Sequence, residues 1–205
     1  MRPFEIILLT LLGVSAIQIL FSAREKNQTK LLMKFIFPVL LIHLFLEQYR
    51  WQMFPAYVSI IMLIFLQKKS IHSIIKFLFF IWVGLSVSLP AVIPIIKMPD
   101  LTGPYTIGSS IHHWVDESRM EWFTDEDPDD MRQIMVQFWY PAEKVKKAKH
   151  TPYVDHINTR TKSIGIAGGF PGFLVRHIEL TKTNSYLDLE VDPAPAPFPI
   201  IIFSH

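Results

Sequence analysis

His43 and Glu47 stand one helical turn apart inside an apolar stretch, so an imidazole and a carboxylate share one helix face. Such a pair could relay a proton or hold a metal, because ionisable groups at membrane depth are costly and tend to be functional. The plainer alternative puts Glu47 at a helix end among lipid headgroups and packs His43 between helices. His112 and His113 could also be ligands, but neighbours on a strand point to opposite faces and cannot share one ion. The acidic run Thr124–Asp130 lacks the glycine and the distal glutamate of a calcium loop and reads as a solvated hairpin tip. Lys144–Lys149 could touch anionic lipid or nucleic acid but is expected to be a solvated basic loop. Gly165–Phe170 is glycine-rich without the Gly-Lys-Ser/Thr of a phosphate loop. Asp116 and Arg119 are close enough to pair in a structural role. With no cysteine in the chain, disulfides, thiolate catalysis and cysteine–zinc sites are excluded. No catalytic, cofactor-binding or metal-binding residue is assigned, and no cofactor is expected.

The elements that would hold these residues fall into two unlike halves. The chain is 50% apolar, which is high for a water-soluble protein, and its charge is unevenly spread. Residues 1–96 carry nine Lys/Arg and three Asp/Glu, a balance of +6, whereas residues 97–205 carry eleven and fifteen, a balance of −4. That contrast is expected of a membrane domain over 1–97 joined to a polar domain over 98–205. It also removes the basic pI as an argument for nucleic acid.

Four apolar stretches, near 4–22, 32–48, 53–67 and 77–96, suggest about four transmembrane helices. A span needs about 20 apolar residues, which the first and fourth supply easily. The second and third are shorter and meet across Tyr49-Arg50-Trp51-Gln52, where Tyr49, Trp51 and Tyr57 suit an interfacial aromatic belt. Glu5 and the lack of a small-residue cleavage site argue against a signal peptide. Arg24, Lys26, Lys30, Lys34, Lys68, Lys69 and Lys76 lie on one side, against Arg2, Arg50 and Lys97 on the other. By the positive-inside rule the N-terminus and everything after Ile96 lie outside the cytoplasm of a multi-pass membrane protein. Pro90 and Pro94 should kink or end the last span.

In the second half, Tyr105–Asp116 and Arg132–Tyr140 read as strands of an antiparallel hairpin, the latter stopped by Pro141. Phe173–Leu180 suggests a short helix after Pro171-Gly172. Pro199–Phe203 reads as a buried, parallel-type strand entered through prolines. Such a strand needs neighbours on both sides, so the chain is expected to be the front part of a larger protein, with residues 98–205 poorly folded alone.

Four blocks in this half, Gly103–Gly108, Asp116–Arg119, Met135–Ala142 and Pro199–His205, resemble the plasma-type platelet-activating-factor acetylhydrolase family. Tyr153 and Asn184-Ser185-Tyr186 also fall where that family has similar residues. The resemblance covers about residues 100–205 and implies the incomplete N-terminal part of an α/β-hydrolase domain, truncated before its nucleophile elbow. It implies hydrolysis of short acyl esters, including those of phospholipids, by a Ser-His-Asp triad without a metal. The nucleophile would sit in a Gly-x-Ser-x-Gly turn. The chain has none: neither Ser109 nor Ser163 has both glycines at the required spacing. His205 resembles the lead-in to the family's oxyanion loop and is not the triad base.

The expected protein is therefore a membrane-anchored carboxylic ester hydrolase whose catalytic residues are missing from these 205, leaving this chain inactive. Its partners would be the lipid bilayer and an ester or phospholipid substrate. The alternatives are a non-catalytic short membrane protein with an external interaction module and, less favoured, a four-helix channel or transporter subunit.

Overall fold

A computed structural model describes every residue except 22–25, 67–71, 125–126, 128, 146, 194–196 and 204–205. The chain divides into two compact units, Met1–Ile96 with His156–Leu180, and Lys97–Asp155 with Thr181–His205.

The helical unit contains α1 (Pro3–Phe21), α2 (Lys26–Ile42), α3 (Phe54–Leu66), α4 (Ser73–Val92) and α5 (Ile157–Gly168). α1 packs on α2 and α4, and α3 packs on α4. The first residues of α1 and α3 meet the residues that follow α2 and α4, so the four helices alternate in direction. Their core comes from helical repeats of apolar residues: Leu8, Leu12 and Ala16 on α1, Ala56, Ile60 and Leu63 on α3, Phe79 and Val83 on α4. Ser59 and Ser86 meet inside it, their hydroxyls 3.3 Å apart, each also donating to a carbonyl of its own helix. Small residues of this kind let helices approach closely where burial of apolar surface from water gives no drive. The outward faces are apolar as well, with Ile7, Val14, Phe35, Phe37, Ile61, Phe65, Phe77 and Leu78 all exposed.

Among the described residues, α1 and α4 are long and apolar enough to cross a membrane, and Trp51–Leu66 is a shorter apolar helical stretch. α2 contains Pro38 and passes into a π-helical turn, His43–Glu47. A 3₁₀ turn, Trp51–Met53, precedes α3. The basic residues Arg24, Lys68 and Lys69 lie outside the described residues.

The 156–180 segment closes on itself. Gly169 takes a φ of +69° at the end of α5, Phe170 N–H donates to the Gly165 carbonyl at 2.9 Å and Gly169 N–H to that of Ile166 at 3.3 Å. This pair of bonds is a Schellman cap, which explains the glycine-rich stretch. The short helix expected over Phe173–Leu180 is two 3₁₀ turns, Gly172–Leu174 and Arg176–Leu180.

The sheet unit holds β1 (Thr106–Met120), β2 (Met131–Ala142), β3 (His150–Pro152) and β4 (Lys182–Leu187) in the order β2-β1-β4-β3. β1 and β2 form the expected antiparallel hairpin, in register from Thr106↔Ala142 to Asp116↔Arg132. Pro141 stays within β2 instead of stopping it. β2 is an edge strand, where a missing N–H is tolerated, and the Pro141 carbonyl accepts from Asp192 N–H at 2.9 Å. β4 runs parallel to β1 over Ile107–Ser109 and antiparallel to β3. The strand expected at 199–203 is not formed: Ile200–Phe203 are 82–90% exposed and pair with no described strand. A hydrophobic run specifies a buried strand only when other strands flank it.

Candidate functional site: a buried ion network in the helical unit

Six side chains that the sequence scatters over residues 2 to 57 form one hydrogen-bonded network. At its centre the Arg50 guanidinium grips the Glu5 carboxylate with both arms, Nε to Oε1 at 2.7 Å and Nη2 to Oε2 at 2.8 Å, and both side chains are fully buried. This fork geometry is the strong form of a charged hydrogen bond. Arg50 also donates to the carbonyls of Ile93 at 2.8 Å and Pro90 at 3.3 Å. Those carbonyls are free for a reason written in the sequence. Pro94 has no N–H to return to Pro90, and Ile93 follows the last turn of α4. A cation thus sits on the negative end of α4.

Glu47 performs the opposite service for α1. Its carboxylate accepts the backbone N–H groups of Phe4 at 2.9 Å and Glu5 at 3.2 Å, capping a helix more than forty residues away in sequence. Arg2 bridges the two acids: it donates to Glu5 at 2.9 Å from Nη2 and at 3.1 Å from Nε, and it donates to the carbonyls of Glu47 and Gln48. Gln48 has φ +61° and ψ 158°, a backbone conformation that glycine adopts easily and side-chain-bearing residues do not.

His43 and Glu47 do face one another, with Nδ1 2.9 Å from Oε2, and His43 Nε2 lies 2.8 Å from the Tyr57 hydroxyl. The carboxylate can only accept, so Nδ1 carries the proton. Nε2 of a neutral His43 then accepts from Tyr57. The result is a carboxylate–imidazole–phenol chain running from the start of α1 to α3. This arrangement can hold a proton between three groups and can lock four helix ends together.

The sequence singled out His43 and Glu47 but not their partners. Glu5 was read only as evidence against a signal peptide, Arg50 only as a loop charge, and Tyr57 as a belt residue. The available signal was scarcity. In an apolar half with three acids, each buried acid needs a basic partner, and Arg2 and Arg50 are two of the three cations expected on the same side, with Lys97.

In the sheet unit the singled-out residues do not converge. Ser109 is fully buried and its hydroxyl meets Gln137 at 3.3 Å and Thr151 at 3.2 Å, and among the described residues no imidazole is hydrogen-bonded to it. His112 reaches Ser110 at 3.1 Å and packs on Trp114 and Phe138, whereas His113 reaches Gln133 at 2.8 Å. Asp116 and Arg119 form an ion pair at 2.6 Å. The Asp116 carboxyl is lowered to about 2, first by the Ser118 hydroxyl and then by Arg119. In the helical unit Ser163 donates back to the Thr159 carbonyl of its own helix at 3.2 Å. Among the described residues no group of three or more His, Asp or Glu is placed to hold a metal. His205 and part of the acidic run lie outside the described residues.

No protein-family profile matches the chain, and no curated protein matches it. One solved structure is similar, a ferulic acid esterase from Streptomyces cinnamoneus, at 22% identity with a TM-score of 0.34. The match covers 49% of this chain and 26% of that enzyme, so this chain spans about a quarter of the esterase's length. A likeness of that size carries no argument about activity.

Proposed function

We propose that this chain is the membrane anchor and leading sheet of a carboxylic ester hydrolase that acts on short acyl esters, phospholipids among them. The observation that carries the reading is where the resembling blocks fall. Gly103–Gly108 leads into β1, Asp116–Arg119 lies on β1, Met135–Ala142 lies on β2, and Asn184–Tyr186 lies on β4. Three of the four blocks and Asn184–Tyr186 thus fall on or lead into one mixed sheet, whereas the fourth, Pro199–His205, forms no strand over its described residues.

Membrane anchoring is supported by the apolar outward faces of the helical unit, since a water-soluble protein rarely exposes so much contiguous apolar surface. In this reading all four helices cross or enter the bilayer, and their alternating direction leaves Met1 and Lys97 on the same, extracytoplasmic side. The anchor would hold the hydrolase domain at its lipid substrate and raise its effective concentration there. The 205 residues contain no Gly-x-Ser-x-Gly, and in this reading the nucleophile, base and oxyanion donors are not among them.

The deciding experiment reads the coding frame beyond His205 and assays the product in membranes against p-nitrophenyl acetate and a short-acyl phosphatidylcholine. A downstream Gly-x-Ser-x-Gly whose serine-to-alanine change abolishes hydrolysis supports the proposal. A stop codon directly after His205 defeats it and favours the non-catalytic membrane protein.

A further inference from the structure

Beside the ion network lies a cavity of about 540 Å³ walled by Tyr49, Trp51, Phe54, Pro55, Tyr57 and Phe173, with Arg50 also at its edge. Its volume is in the range of small-molecule sites. Apart from the exposed Tyr49 hydroxyl, its polar side chains are already occupied. The Trp51 indole N–H donates to the Leu174 carbonyl at 3.0 Å, the Tyr57 hydroxyl is bonded to His43, and Arg50 is neutralised by Glu5. What remains facing the space is aromatic and aliphatic carbon. The far wall is held in place as well, because Phe173 meets Trp51 edge to face at 5.9 Å with ring planes at 89°. The rim is open, with Tyr49 73%, Phe54 64% and Phe173 55% exposed.

We propose that this cavity holds the acyl chain of a membrane lipid. A charged ligand would find only the exposed Tyr49 hydroxyl uncommitted there and would lose its hydration with little return. Hydrocarbon loses nothing. The rim continues into the exposed apolar surface of α3, through Phe54, Ile61 and Phe65, so the medium that bathes this surface is the medium that reaches the cavity. The inference rests on the membrane placement of the helical unit but not on the esterase reading. It adds a lipid-holding site to the anchor.

The test uses the full chain purified in detergent, supplied with dipalmitoylphosphatidylcholine and examined by native mass spectrometry as the micelle is stripped away. The wild-type chain should retain one lipid. Phe173→Asp should lower retention about tenfold, as expected when one aromatic wall contact is replaced by a charge. Phe173→Leu, which keeps the wall apolar, should restore most of it. Phe65→Ala, on the outward face of α3, should leave retention unchanged. Failure to retain lipid, or equal losses in the Phe173→Asp and Phe65→Ala chains, overturns the proposal, the second outcome because it marks the lipid as annular. Alkaline carbonate extraction of membranes separates the premises. A chain that is washed out refutes membrane placement itself, whereas a chain that stays but retains no lipid refutes only the cavity.

Discussion

Removing Glu5 should damage the helical unit more than removing Arg50, and removing both should damage it least. The two charges are paired at 2.7 and 2.8 Å with both side chains fully buried. For charge centres about 4 Å apart their attraction is about 4 kcal/mol at an effective dielectric of 20. Breaking a buried pair by deleting one partner costs about 3–5 kcal/mol, chiefly because the survivor is stranded. The survivors differ here. Glu5→Leu leaves Arg50 with only the carbonyls of Ile93 and Pro90, a loss at the upper end of that range. Arg50→Leu leaves Glu5 still held by Arg2 at 2.9 Å, a loss at the lower end. The double variant strands neither buried group. It should lie within about 2 kcal/mol of wild type, since apolar replacement of a whole buried pair is often near neutral. The assay is unfolding of the full chain in detergent, followed by far-ultraviolet circular dichroism across a double-mutant cycle. Additive losses in the double variant, or a larger loss for Arg50→Leu than for Glu5→Leu, would refute the reasoning.

Gln48 is held at φ +61°, and Gln48→Gly should raise stability by about 1 kcal/mol, the strain relieved less the backbone entropy of glycine; unfolding in detergent reads it directly. A Cβ on Gly108 would lie 2.5 Å from the Tyr140 ring and 2.9 Å from the Ala142 Cβ, so Gly108→Ala should cost about 1–3 kcal/mol and shift the Tyr140 resonances. Both amide atoms of Gln52 are buried without a partner, so Gln52→Met should stabilise the helical unit by about 1–3 kcal/mol, and a loss instead would place a bridging water there. Asp116 titrates near 2 in the folded chain against an ordinary 3.8. A depressed carboxyl favours folding above its unfolded value, and that contribution is lost as pH falls from about 3.8 to 2. Carboxyl ¹³C shifts should show the low midpoint, and it should rise in Ser118→Ala more than in Arg119→Ala.

The hairpin was legible because both of its strands carry their own signal. Arg132–Tyr140 is aromatic and β-branched, and its partner alternates, so local pattern and pairing agree. Its end was misplaced at Pro141, since whether a proline stops a strand depends on the strand's place in the sheet. β4 and α5 went unread for a different reason. Lys182–Leu187 is six mixed residues that become a strand only by pairing with β1 and β3, and α5 has almost no apolar stripe. Pro199–Phe203 failed in the other direction: the hydrophobic run is plain, but no neighbour meets it. In the ion network, the i, i+4 spacing revealed His43 and Glu47, while Glu5 and Arg50, forty-five residues apart, had no local signal to join them.

What joins them is the cost of charge in an apolar setting. Two acids and two arginines cannot remain dispersed among helices whose outward faces are Ile, Leu and Phe. Each must find an opposite charge or the end of a helix, and here each finds at least one of them. Glu47 takes the N–H groups that open α1, and Arg50 takes the carbonyls that Pro94 and the end of α4 leave free. Arg2 then ties the carboxylate of Glu5 to the strained peptide at Gln48. The network therefore fixes which helix ends meet, and so the alternation of the helices, by a rule that composition alone imposes. A residue that breaks this matching should be felt as helix ends coming apart before the apolar core is disturbed, because Leu8, Leu12, Ile60 and Phe79 lie deeper along the same helices and make no contact that depends on charge.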